Sequence, residues 1–476
     1  VSISSEVSPQ MREYERFNTT AANAYVRPLM EGYLRRLEGR LRDAGALCPV
    51  FLMHSGGGIV NVDTAARFPV RLVESGPAGG AIFAAQVARR LGLPRVLSFD
   101  MGGTTAKICL IRDGAPKTAR VFEVARSYRF KKGSGMPISI PVIDMVEIGA
   151  GGGSLAHVDA MRQVRVGPES AGSEPGPAAY GRGGDRPAVS DADLLLGRLD
   201  PANFAGGTIA LHPAASEAAL ARHVGAPLGM EAVEAAFAVS EVVDETMANA
   251  ARVHAVENGE DLSTYAMIAF GGAAPLHAGR LCEKLGISRL VVPPGAGVGS
   301  AIGFLRAPYA FEATRSVLMR LDAFDAAQAA GILRALGEEA GAFVLSCDPA
   351  ATVETAAKLY MRYKGQGWEI PVALDAALAA SPTADALLAR FEADYAALFG
   401  RAVAGLPVEI TVWAVNAATP TEAPRPTPEA PEGAALTGTA RKLYDPVASA
   451  WSDGHEVPRA SVADGATVAG PAAISE

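Results

Sequence analysis

Apolar positions recur at helical spacing over residues 20–44, where Ala21, Tyr25, Leu29, Tyr33, Leu37 and Leu41 precede Gly45. The short apolar run Val50-Phe51-Leu52-Met53 reads as a buried strand, and His54-Ser55-Gly56-Gly57-Gly58 as the loop after it. A helix is expected over 79–91, opened by Ser75-Gly76-Pro77 and closed near Gly92. Strand signal follows from Arg95 to Phe99 and from Ala106 to Arg112, then a turn at Asp113-Gly114 and more strand signal from Thr118 to Val124. Residues 128–180, dense in Gly and Pro, read as loop-rich. A long amphipathic helix is expected over 231–257, then strand 265–270, helix 275–285, strand 288–292 and helix 299–305. Strands alternating with helices imply a layered α/β domain up to about residue 305.

Beyond that point the pattern becomes helix 323–343, strands 353–363 and 368–374, helix 382–398 and strand 407–415, an α+β arrangement. Pro420, Pro424, Pro426, Pro428 and Pro431 then favour an extended connector. The expected organisation is an α/β core over 1–305, an α+β domain over 306–416, a connector over 417–440 and a C-terminal β segment over 441–476.

Composition narrows the function class. With 49% hydrophobic and 20% charged residues the chain buries a large core and is not a disordered polyelectrolyte. A net charge of -8 argues against a broad nucleic-acid footprint, which needs a basic face. Cys48, Cys109, Cys282 and Cys347 form no metal or redox spacing and read as buried free thiols of a reducing compartment. The uncharged stretch Leu290 to Leu305 is too short, and too broken by Pro and Gly, to span a bilayer. A soluble cytoplasmic protein is the expectation.

The most specific feature is Asp100-Met101-Gly102-Gly103-Thr104-Thr105-Ala106-Lys107, lying between two strand signals rather than before a helix. Gly102 and Gly103 let backbone amides approach an anion, Thr104 and Thr105 add hydroxyls, and Asp100 at a strand end can hold a Mg²⁺-bound water. A plain tight turn closed by an Asp fits the same residues. Glu74-Ser75-Gly76-Pro77-Ala78-Gly79-Gly80 opens the helix before this hairpin, and Gly271-Gly272-Ala273 separates a strand from a helix where a flat base could lie on the backbone. Pro293-Pro294-Gly295-Ala296-Gly297-Val298-Gly299 starts another helix whose small residues permit close packing.

This order of helix, phosphate hairpin, glycine pair and second close-packed helix resembles the ribonuclease H-like lobe of the sugar kinase, heat-shock chaperone and actin superfamily. The resemblance narrows to the hydantoinase A/oxoprolinase family through Ser75 to Gly80, the Asp100 hairpin, Glu147-Ile148-Gly149-Ala150-Gly151-Gly152-Gly153-Ser154, Gly167-Pro168-Glu169-Ser170-Ala171-Gly172 and the 271–278 run. It implies an ATP- and Mg²⁺-dependent hydrolase of a cyclic amide such as a hydantoin or 5-oxoproline, acting as the nucleotide-binding subunit beside a hydantoinase B-type partner. An ATP-dependent ketone carboxylase subunit is the alternative within the family, and a nucleotide-gated chaperone or filament protein is the alternative from another class. The implied nucleotide-binding residues are Gly102, Gly103, Thr104, Thr105, Lys107, Gly271, Gly272 and Ala273, with Asp100, Asp144 and Glu147 as catalytic candidates and Asp100 as the metal ligand.

Two departures stand out. Family members commonly carry an acidic residue near the position of Lys107. They also begin with another Asp-x-Gly-Gly-Thr hairpin, whereas this chain starts at Val1 and holds no second one, so the expectation is a piece that binds nucleotide weakly and does not turn over. Among single residues, Arg129, Lys131 and Lys132 read as a solvated charge run with an anion clamp as the alternative. His54 and His277 read as structural histidines, and Asp191 with Asp193 as a helix start.

Overall fold

The computed structural model describes residues 1–127, 133–420, 438–462 and 465–475. In chain order its principal elements are α1 (Glu13–Asp43), α2 (Ser75–Arg90), β1 (Arg95–Met101), β2 (Ala106–Arg112), β3 (Met145–Ile148), α3 (Val189–Leu195), α4 (Ala232–Glu257), β4 (Ala266–Phe270), α5 (Ala274–Leu285), β5 (Arg289–Val291) and α6 (Gly299–Arg306). These are followed by β6 (Ala310–Arg315), α7 (Ala326–Cys347), β7 (Glu354–Tyr363), β8 (Ile370–Leu374), α8 (Ala384–Phe399), β9 (Val408–Ala418), β10 (Thr439–Asp445), β11 (Ala450–Pro458) and β12 (Ala472–Ser475). Among the described residues no helix is long and apolar enough to cross a membrane.

The chain divides into two compact units that are discontinuous in sequence. One comprises Val1–Phe83, Lys117–Asp144 and Ser300–Ala423, the other Ala84–Pro116, Met145–Gly299 and Pro424–Glu476. The serial division at 305, 416 and 440 therefore differs from the units. The segment Lys117–Asp144 joins the first unit through side-chain and backbone contacts far away in sequence: Ser139 N donates to Thr19 Oγ1 at 2.7 Å, and Ser55 Oγ to the Pro141 carbonyl at 2.6 Å.

The second unit is built on a mixed sheet in the order β3-β2-β1-β4-β5, with β3, β2 and β1 antiparallel in succession and β1, β4 and β5 parallel. β1 and β4 read as nearly continuous apolar runs because they are central and buried on both faces. Their side chains, among them Leu97, Phe99 and Met267, share one core with Val239, Val243 and Met247 of α4. At about 1.5–3 kcal/mol per fully buried large apolar side chain, this core is the main source of the unit's stability. α4 starts where Glu231 N donates to Glu234 Oε2 at 2.9 Å, and its buried positions follow the helical period. The three-stranded sheet of β10, β11 and β12 packs onto the same unit, where Arg441 Nε and Nη2 donate to the Gly197 carbonyl at 3.0 and 2.8 Å.

In the first unit an antiparallel sheet, ordered β6-β9-β7-β8, packs against α7 and α8 around Trp413, Tyr363, Phe391 and Leu336. β6 is a strand that the periodicity missed, because Glu312, Thr314 and Arg315 dilute its apolar signal and its partner β9 lies about a hundred residues on. The region 118–124 is two short strands, Thr118–Ala119 and Phe122–Val124, rather than one. The loop-rich stretch contains paired strands as well, with Ser154–Val158 against Val164–Ser170. α1 begins seven residues earlier than its apolar spacing indicates, and Tyr25, Leu29 and Tyr33 of that row are exposed. Its buried side instead carries Thr19, Asn23 and Leu34, with Asn23 donating to the Arg67 carbonyl and accepting from Val70 N. α2 and α6 cross within this unit at Gly79 and Gly303, where a side chain on Gly303 would overlap the Gly79 carbonyl.

Candidate functional site

The Asp100 hairpin joins two antiparallel strands, as its sequence context indicates. Asp100 on β1 is the direct cross-strand partner of Lys107 on β2, and Lys107 is that of Glu147 on β3. Directly paired residues face the same side of a sheet, so the three form a row of alternating charge at its loop end. Lys107 Nζ lies 3.3 Å from Glu147 Oε1 and donates to Thr105 Oγ1 at 2.6 Å, so the lysine points along the row toward the loop.

The 102–105 loop rests on a second glycine loop. Gly152 N and Gly153 N donate to the carbonyls of Gly102 and Gly103 at 3.0 and 2.6 Å. Any side chain on Gly151 would strike the Gly103 and Thr104 backbone at 2.7 Å, which accounts for the bare glycines. With those carbonyls engaged, the amides of Gly103 and Thr104 make no hydrogen bond among the described residues, and both residues are exposed. Two such amides beside an ammonium and a hydroxyl form a cradle for an anion.

The second glycine motif lies against the first. Ala273 N donates to the Met101 carbonyl at 2.9 Å, and Gly271 sits so close to β1 that a Cβ there would lie 2.5 Å from Met101 O and 2.6 Å from Asp100 Oδ1. Gly271 also has φ of +94, a conformation open to glycine. Gly102, Gly103 and Gly272 differ: a Cβ on any of them would meet nothing within 4 Å, so their outer faces are open.

Of the other acidic candidates, Glu147 is half-exposed beside Lys107 in the second unit. Asp144 belongs to the first unit, where its amide donates to the Lys117 carbonyl at 2.8 Å. His54 is a half-buried loop histidine that accepts from Gly56 N at its Nδ1, and desolvation together with Arg71 lowers it to about 4. Arg129, Lys131 and Lys132 lie outside the described residues. Asp191 does organise the start of α3, accepting from Ala178, Ala179 and Ala188 amides and from Ser216 Oγ, while Asp193 turns inward to His277.

Sequence reasoning missed the contact of His277 with Asp193 and Asp244 behind these loops. Asp244 carried a readable signal, since it is an acidic residue in the buried phase of a mostly apolar helix face. Its partner could not be read, being 33 residues away.

The sequence profile of the hydantoinase/oxoprolinase family matches residues 16–313. An uncharacterized protein of Methanocaldococcus jannaschii is 38% identical over 77% of this chain and 54% of its own length. Caprolactamase subunit alpha of Pseudomonas jessenii is 34% identical over 85% of this chain and 58% of its own. The crystal structure of ATP-dependent caprolactamase from Pseudomonas jessenii superposes with a TM-score of 0.76 at 30% identity, covering 96% of this chain and 66% of that one. The nucleotide-free structure of acetone carboxylase, described as ATP-dependent, gives 0.75 at 26% identity, covering 99% and 67%. The chain thus spans about half the length of the curated relatives it matches, and the α/β architecture is that of these solved structures.

Proposed function

The chain belongs to the hydantoinase/oxoprolinase family, and we propose that its 100–107 hairpin and 271–273 loop form the ATP site of a cyclic-amide hydrolase. The lobe carrying them is read as ribonuclease H-like, of the sugar kinase, heat-shock chaperone and actin superfamily. The observation that supports the site most is the pair of exposed amides at Gly103 and Thr104, unbonded among the described residues and set beside Lys107 and Asp100. In this reading Gly102, Gly103, Thr104, Thr105 and Lys107 hold the phosphates, and the Gly271, Gly272 and Ala273 backbone, open at Gly272, takes the base. Asp100 holds Mg²⁺ through water. The described residues contain no cluster of three or more His, Cys, Asp or Glu able to cage a metal. A lone carboxylate nevertheless suits Mg²⁺, whose shell in nucleotide complexes is completed by phosphates and water.

ATP, when bound, supplies a phosphoryl group that makes the oxygen of a poorly electrophilic ring amide a leaving group. The protein's part is positioning and charge neutralisation. Lys107, oriented by Glu147 and Thr105, offsets phosphate charge. Asp100 would hold the metal through a bound water, and Asp144 is assigned to orienting water on sequence grounds. Since the caprolactamase relative is a subunit, a hetero-oligomer with a hydantoinase B-type partner is part of the proposal.

The acetone carboxylase structure covers 99% of the chain, which favours a second reading in which the same site serves ketone carboxylation. ATP turnover by the full-length complex with hydantoin, 5-oxoproline or caprolactam, against acetone or acetophenone plus bicarbonate, separates the two. Ring-opened product supports the hydrolase. Carboxylated ketone with no ring opening of any cyclic amide overturns it.

A further inference from the structure

The buried charges behind the glycine loops have no role in that chemistry. His277 lies in the first turn of α5, just after the 271–273 loop. Its Nδ1 is 2.8 Å from Asp244 Oδ1 on α4 and its Nε2 is 3.2 Å from Asp193 Oδ2 on α3. All three side chains are buried to within 1%. An imidazole flanked by two carboxylates can donate from both nitrogens only as the imidazolium. Burial opposes that charge, but the two carboxylates outweigh it and push His277 up to about 10. Asp193 also accepts from Arg198 Nη1 at 2.9 Å, and the same nitrogen donates to Ser240 Oγ of α4 at 2.8 Å. The remaining charges between α4 and α5 pair among themselves, Glu241 with Arg280 and Lys284, and Glu245 with Lys284. The cluster is therefore two carboxylates balanced by an imidazolium and a guanidinium.

These contacts close a circuit through the two loops. Gly152 and Gly153 amides hold the carbonyls of the 102–105 loop, and the Gly152 carbonyl accepts from Ser190 N and Oγ at 2.7 and 2.8 Å at the start of α3. α3 carries Asp193 to His277, and α5 leads back to Ala273, whose amide donates to Met101 at the end of β1. His277 is the ionic joint of this ring. We propose that His277, bridging Asp193 and Asp244, is a positioning residue that fixes the spacing between the 102–105 and 271–273 loops and so couples recognition of the phosphates of a nucleoside triphosphate to recognition of its base. The proposal rests on the assignment of these loops to the two ends of one nucleotide site.

The test titrates the full-length protein with ATP, tripolyphosphate and adenosine, each with Mg²⁺, in the wild type and in His277→Gln and Asp193→Asn. ATP affinity is expected to fall about tenfold or more in each variant while tripolyphosphate affinity changes less than about twofold, because only the coupling between the ends is lost. Equal loss for both ligands, or no loss for ATP, overturns the positioning role. Absence of ATP and tripolyphosphate binding to the wild type overturns the site assignment itself, and the proposal with it. Should His277→Gln not fold, Asp193→Asn carries the titration alongside the ¹⁵N shifts of His277 in the wild type. Both ring nitrogens protonated at about pH 8 is the expected result, since the two buried carboxylates hold the proton on the imidazole; a neutral ring there overturns the proposal.

Discussion

Alanine at Gly103 separates a ligand-binding loop from a mere turn. A methyl group there would meet nothing within 4 Å, and Gly103 is not among the glycines with positive φ, so the fold itself does not require glycine. Replacing glycine at a compatible position changes stability by about 0.4–1 kcal/mol, in the stabilising direction through the unfolded chain. If the Gly103 and Thr104 amides receive a phosphate, the methyl crowds its approach and weakens charge-assisted bonds of about 1.5–3 kcal/mol each. One such bond corresponds to a roughly 10- to 150-fold weaker Kd for ATP-Mg²⁺. Calorimetric titration and thermal unfolding of full-length Gly103→Ala should show that loss of affinity with Tm unchanged or slightly raised. Gly271→Ala is the contrasting control: φ of +94 and the overlaps with Met101 O and Asp100 Oδ1 mean that stability and affinity should fall together. ATP affinity within about twofold of wild type in Gly103→Ala would refute the reasoning, since even one lost bond exceeds that.

Further outcomes follow from the same geometry. Lys107→Gln should weaken ATP binding about tenfold but cost less than about 1 kcal/mol in urea denaturation, because its pairing with Glu147 is partly exposed; equal ATP affinity would remove Lys107 from the site. In the full-length protein Asp100→Ala should abolish ATP hydrolysis with the circular dichroism spectrum retained, and a retained rate would reduce the hairpin to a turn. His277, at about 10 in the folded state against an ordinary histidine value of 6.5, contributes stability that is fully present below about pH 6.5 and is lost as pH rises through about 10, an upper limit of about 5 kcal/mol. The urea midpoint of wild type should therefore approach that of His277→Gln at high pH, and a constant gap would contradict the charged ring. His54 behaves oppositely: lowered to about 4 by burial and by Arg71, it stabilises above pH 6.5 and loses that contribution as pH falls through 4. A His54→Gln variant should lack that part of the acid transition, and an unchanged acid limb would contradict it.

Local pattern sufficed where an element's burial follows its own period. α4, β4 and α5 were legible because Val239, Val243 and Met247, and then Met267 to Phe270, are buried in register with their apolar spacing. The Asp100 hairpin was legible because its glycines fall between strand signals. α1 was not legible in the same way. Tyr25, Leu29 and Tyr33 face outward while Asn23 is buried, and that choice depends on Arg67 and Val70, which supply its hydrogen bonds. The discontinuous units and the His277 cluster share this cause. Each is set by partners tens to hundreds of residues apart, which no window of sequence contains.

The most direct test is amide hydrogen exchange in the full-length protein with and without saturating ATP-Mg²⁺. The Gly103 and Thr104 amides, exposed and unbonded among the described residues, should exchange fast without nucleotide and slow markedly with it, together with the exposed Gly272 amide. Unchanged exchange at Gly103 and Thr104 while nucleotide is bound would place the ATP site elsewhere and contradict the account.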